Sequence, residues 1–269
     1  MKLIQFMQLS VVTIVTLSSV ACASLRYGPV DPSGSHLKIQ AEDGTWVACD
    51  VYDRQRDRVV VISPGFLQHK RSDGIYELIR ELLPDFDVIS MDYRGIGESS
   101  GRYTYSAKEH ADLHAVLRFA ERRWQHVGVI GVSLGAAIAI NELADHPHAQ
   151  SLVTISAPMA FDAIEKTVSP KAKSWAFTQA SFSMRSGSPF LSKRDPIEAI
   201  ERLIIPVLLI HGGKDRVVYE RHSRELYAKA PGIKQYLDFP EAGHAAELIQ
   251  PHLAECVSAI RQWFDQTLR

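Results

Sequence analysis

Val59-Val60-Val61-Ile62 is apolar at four successive positions, and that run constrains the fold more than any other stretch. A strand with one wet face alternates apolar and polar residues, because successive side chains point to opposite faces. A strand apolar on both faces needs cover on both, as in a parallel sheet sandwiched between helices. The pattern recurs along the chain. Runs rich in Val and Ile at 58–63, 87–91, 127–131, 151–155, 206–211 and 234–239 predict strands. Segments of helical period at 74–83, 107–123, 134–145, 220–229 and 246–268 predict helices between them. Before these, 37–41 and 46–52 flank Asp43-Gly44 and predict a two-strand hairpin. The expected architecture is therefore α/β: one domain over 36–269, its sheet mostly parallel and covered by helices on both faces.

One segment breaks the alternation. Residues 158–196 lie between two strands and hold Trp175, Phe177, Phe182, Met184 and Phe190 among many Ser and Lys residues. An insertion of that length is commonly a lid or a binding element, so a short lid is expected there.

The first residues follow another logic. Met1-Lys2 is followed by an apolar stretch, the small residues Ala21-Cys22-Ala23 close it, and no acidic residue precedes Asp31. That is the composition of a signal peptide over 1–23, so export is expected, to a periplasm or cell envelope or beyond it. Two endings stay open. Ala21-x-Ala23 suits cleavage before Ser24. Ser19-Val20-Ala21-Cys22 resembles a bacterial lipobox with Ser19 in place of the usual Leu, which would acylate Cys22 and tie the protein to a membrane. The Gln, Ser and Thr residues of the stretch speak against an uncleaved membrane span. Residues 24–35, with Gly28, Pro29, Pro32 and Gly34, read as a flexible tether.

Lys and Arg number 30 against 31 Asp and Glu, without a basic patch, so nucleic acid is not an expected partner. Cys49 and Cys256 read as two buried thiols rather than a disulfide, because nothing in the sequence brings them into bonding range. There is no CxxC, no HExxH and no Cys/His cluster at metal spacing, so neither metal nor cofactor is expected.

Chemistry concentrates in three places. Gly131-Val132-Ser133-Leu134-Gly135 follows an expected strand and opens an expected helix, a turn tight enough to strain the serine and project its hydroxyl. A serine hydroxyl is a weak nucleophile and needs a base within hydrogen-bond reach. His244 sits between the last expected strand and the last helix. Asp215 lies in the loop after the preceding strand, with Asp238 and Glu241 as alternative acids. Ser133, Asp215 and His244 thus fall at C-terminal strand ends, where parallel sheets gather ligands.

From about residue 37 onward the chain resembles the α/β-hydrolase superfamily. The order Ser, Asp, His carries the resemblance, with Asp92-Tyr93-Arg94-Gly95-Ile96-Gly97-Glu98-Ser99 and Asp195-Pro196 leading into Ile205-Pro206-Val207-Leu208-Leu209-Ile210-His211-Gly212. The last two are similar to short-lid esterases, thioesterases and proline-iminopeptidase-like enzymes. The resemblance implies an oxyanion hole from the Leu134 N–H and, in Ser63-Pro64-Gly65-Phe66, the Phe66 N–H. Pro64 stands where the family usually has His. It implies acyl transfer through Ser133 on a small or lipid-like ester or thioester. A serine peptidase and a non-catalytic binding module on the same fold are the alternatives.

Overall fold

The computed structural model describes residues 33–161, 184–188 and 191–269. The expected leader, nearly all of the tether and the insertion aromatics Trp175, Phe177, Phe182 and Phe190 lie outside them. The hairpin is β1 (Ser35–Gln40) and β2 (Trp46–Tyr52), followed by β3 (Arg58–Ser63), α1 (Ile75–Leu82), β4 (Asp87–Met91), α2 (Glu109–Glu121), β5 (His126–Val132), α3 (Leu134–Asp145) and β6 (Ser151–Ile155). Then come α4 (Pro196–Ala199) with a 3₁₀ turn (Ile200–Arg202), β7 (Val207–Gly212), α5 (Arg221–Lys229), β8 (Lys234–Phe239), α6 (Ala246–Ile249) and α7 (Leu253–Thr267). Among the described residues no helix is long and apolar enough to cross a membrane.

The strands form one sheet in the order β1-β2-β4-β3-β5-β6-β7-β8. Only the hairpin runs antiparallel to its neighbours; β4 through β8 are parallel. The four-residue apolar run explains the layering. Val59 and Val61 face a core shared with α2, α3 and α5, while Val60 and Ile62 face a second core shared with α1, α6 and α7. All four are wholly buried, a contribution of about 1.5–3 kcal/mol each. Helix α1 fills its half with Ile75, Leu78, Ile79 and Leu82, a single stripe at helical spacing. The Gly74 N–H donates to the Glu77 carboxylate at 2.5 Å, satisfying one of the helix's free N-terminal donors.

One expectation needs correction, and another gains detail. The helix read over 246–268 is two helices, because Pro251 has no N–H to donate and its ring crowds the preceding turn. The segment read as a lid over 158–196 also contributes to the body of the domain. Its residues 184–188 bridge to the loop after β4: Ile96 pairs with Met184, and Tyr103 with Ser186. Its end forms α4, opened by Asp195 and Pro196, a pair suited to a helix start. Cys49 and Cys256 are free and buried, in the two cores on opposite faces of the sheet. Burial raises both thiols, that of Cys256 to about 12.

Candidate active site

The register of the sheet sets the site. β3 pairs with β5 from Arg58 opposite His126 to Ser63 opposite Gly131, so the two strands end side by side. The chain leaving β3 therefore runs past the chain entering α3. Gly65 lies against the Ser133 turn, where a Cβ on it would come within 3.3 Å of Ser133 Cβ. At Gly135 an added Cβ would lie 2.2 Å from the Ser63 carbonyl oxygen, and at Gly131 it would lie 2.5 Å from Ala136 Cα. Both glycines are demanded by backbone packing, and their absence of side chains lets the turn close.

Ser133 occupies the corner with φ 51° and ψ −118°, a region that costs a non-glycine residue on the order of 1–3 kcal/mol. Its N–H donates to the Ile155 carbonyl at 2.8 Å, and its own carbonyl accepts from Ala136 at 3.0 Å. The strained corner is thus tied to β6 on one side and to the first turn of α3 on the other. The hydroxyl sits at the N-terminus of α3, the positive end of the helix dipole.

His244 reaches this hydroxyl from the loop after β8, with Nε2 2.9 Å from Ser133 Oγ and Nδ1 2.6 Å from Asp215 Oδ2. A buried ionised carboxylate at Nδ1 selects the tautomer protonated there, which turns the Nε2 lone pair toward the serine. Ala245 follows at φ 47°, and its N–H donates to Ser156 Oγ at 3.1 Å. Ser156 is itself at φ 55° at the end of β6, so the histidine loop and the serine corner rest on the same strand end. His252 also follows β8, but it packs on Phe239, with ring centroids 5.0 Å apart.

Asp215 is held tightly. Its side chain is fully buried, and Oδ1 accepts the Val217 and Val218 N–H groups at 2.9 and 2.8 Å. Burial opposes its ionisation. Hydrogen bonds from His211 and His244, the His244 charge and the Val218 N–H outweigh that and hold the carboxyl well below the usual carboxylate range. His211, the penultimate residue of β7, places Nε2 2.8 Å from the Val218 carbonyl and 3.3 Å from Asp215 Oδ2. Of the alternative acids, Glu241 pairs at the surface with Lys214.

The Leu134 N–H belongs to the first residue of α3 and has no acceptor within its helix. Phe66 follows Gly65, whose own N–H donates to Gln68 Oε1 at 2.8 Å. Both residues are half-buried beside the serine corner. Phe66 also packs on Tyr103 and Tyr105, at ring-centroid distances of 5.9 and 6.1 Å. Sequence reading missed Gln68, Ser156 and the contact of His211 with Asp215. A polar residue four positions after Pro64 and a serine at the end of β6 were the available signals. Arg94 takes no part here: it grips Asp112 through its backbone N–H and guanidinium and reaches Asp43 at 2.7 Å.

Comparisons with known proteins bear on the fold that carries these residues. A family profile described as the alpha/beta hydrolase fold matches residues 58–182. The uncharacterized protein YfhR of Escherichia coli K12 is 24% identical over 229 residues, 81% of this chain and 76% of that protein. Its Salmonella typhimurium counterpart is 25% identical over 243 residues, 81% and 77% of the two chains. Among solved structures, the Pyrococcus furiosus esterase Pf2001 superposes with a TM-score of 0.77 at 22% identity, covering 91% of this chain and 97% of its own. The Exiguobacterium antarcticum esterase EaEST does so with a TM-score of 0.69 at 18% identity, covering 86% and 100%.

Proposed function

We propose that this chain, which has the α/β-hydrolase fold, is a serine hydrolase that cleaves a carboxylic ester or thioester through an acyl-enzyme on Ser133. The observation that carries the reading is the continuous relay Ser133 Oγ, His244 Nε2, His244 Nδ1, Asp215 Oδ2, with steps of 2.9 and 2.6 Å. Ser133 attacks the carbonyl carbon while His244 accepts its proton, and Asp215 stabilises the imidazolium without taking the proton itself. The Leu134 and Phe66 N–H groups receive the developing oxyanion, each contributing about a hundred- to a thousandfold in rate. His244 then protonates the departing alcohol or thiol, and water repeats the sequence on the acyl-enzyme.

The preference for an ester or thioester with an apolar acyl group draws on the aromatic residues around the site, Phe66, Tyr103 and Tyr105. The esterases among the structural neighbours point the same way. Hydrolysis of p-nitrophenyl esters from acetyl to palmitoyl tests this. Turnover that disappears in Ser133→Ala supports it, and the chain-length optimum sizes the acyl pocket. No turnover on any member rejects it and favours a binding module.

Export is part of the same proposal and rests on the composition of residues 1–23. The mass of the mature N-terminus tests it: an acylated Cys22 gives a membrane-tethered enzyme, a free Ser24 a released one, and an intact Met1 contradicts export.

A further inference from the structure

A second polar cluster gathers at the opposite end of α3 from Ser133. Glu142, in the last turn of α3, has a carboxylate only 2% exposed. His114 of α2 puts Nδ1 2.7 Å from Glu142 Oε1, and His146, just past the end of α3, puts its Nδ1 3.1 Å from the same oxygen. His110, one turn before His114, has Nδ1 3.8 Å from the other oxygen, Oε2. His148 stands alongside, its ring 5.0 Å from that of His114 and stacked at 6.3 Å on that of His146. Among the described residues, every ion-pair partner of Glu142 is a histidine.

Buried Asp92 and Asp112, by contrast, meet the fixed cations Lys70 and Arg94. A neutral imidazole has one N–H to give, and a buried carboxylate ringed by imidazoles has no fixed cation to balance it. Two imidazole nitrogens and a carboxylate converging on one point are, however, the donor set preferred by zinc-like divalent ions. The three ligand atoms of His114, Glu142 and His146 lie within 4.8 Å of one another. A tetrahedral ion bound at about 2.1 Å needs its ligands roughly 3.4 Å apart, a separation that small rotamer changes supply. The histidines also sit at the C-terminal, negative end of α3, where positive charge is favoured.

We propose that His114, Glu142 and His146 form a binding site for a divalent first-row transition-metal ion of the zinc type, clamping α2 to α3. His110 or water completes the coordination. No Cys/His cluster stood out at metal spacing in the sequence, because this one is assembled from two helices. The rise of α3 puts it about 13 to 14 Å along the helix from the serine corner, so the ion is structural and takes no part in acyl transfer.

Titration of ZnCl₂ into the full chain after dialysis against EDTA, followed calorimetrically at neutral pH, tests the site. His146→Ala and His114→Gln are measured alongside; His146 is half exposed, so its loss leaves the packing in place. The expected result is one tight Zn²⁺ per chain, weakened at least about tenfold in each variant. Zn²⁺ should raise the unfolding midpoint of the parent and not of the variants, while His146→Ala keeps the parent's ester turnover. A parent that takes up no Zn²⁺, or variants that bind as tightly as the parent, overturns the proposal. So does uptake abolished by His244→Ala instead, which would put the ion at the acyl-transfer residues.

Discussion

Asp112 and Asp215 are both carboxylates with wholly buried side chains, yet they are balanced in different ways. Asp112 meets the Arg94 guanidinium at 2.7 Å and also accepts its backbone N–H. Asp92 is treated alike, held by Lys70 Nζ at 2.9 Å and the Lys70 N–H at 2.8 Å. Arginine and lysine keep their protons, so these pairs fix the turn after β4 and nothing more. Asp215 meets imidazoles and backbone donors instead. An imidazole can accept a proton at one nitrogen while donating from the other, so under the proposed mechanism the burial that locks a turn elsewhere here supports a base beside a strained serine. What sets Asp215 apart is a histidine partner whose other ring nitrogen meets the strained serine.

Removing the proton-accepting partner of the proposed mechanism should have the largest effect. His244→Ala is expected to lower ester turnover about 10⁴- to 10⁶-fold with the fold intact, measured by steady-state kinetics beside circular dichroism. Asp215→Asn should follow at about 10⁴-fold in kcat, because the amide favours the wrong imidazole tautomer. Equal turnover in that variant would erase the distinction between the two carboxylates. Asp112→Ala should do the reverse. It leaves the buried Arg94 guanidinium with only the exposed Asp43 as an ion-pair partner and costs about 3–5 kcal/mol in a urea melt, while the fraction that stays folded keeps its turnover per molecule.

The smallest effect is on pH dependence. The folded pKa of Asp215 lies below its ordinary value of 3.8, so the unfolded chain takes up that proton first as pH falls. Its contribution to stability is full above the unfolded value and is lost as pH drops below it toward the folded one. Asp215→Asn should therefore flatten the decline in denaturation midpoint between about pH 5 and pH 3.

Sequence disclosed the strand ends well, because fully apolar runs such as Val59–Ile62 have few other uses. β3, β4, β6 and β8 begin and end where the sequence pattern predicts them. Ser133, Asp215 and His244 were legible because each follows a strand at its C-terminal end, and the sheet register turns that shared position into proximity. The support of His211 for the Asp215 loop was not legible. It depends on how the loop folds back onto β7, a tertiary contact without a local pattern. The Glu142 cluster was hidden for the same reason: His114 and His146 are 32 positions apart, and only the packing of α2 on α3 joins them. The broken helix at Pro251 was available and misread, since apolar periodicity continues across the break.

The most direct test of the central claim is labelling of the full chain with a fluorophosphonate, followed by peptide mass analysis. The account predicts one covalent adduct, on Ser133, formed slowly or not at all in His244→Ala. No adduct, or an adduct on another serine that persists in Ser133→Ala, would contradict it.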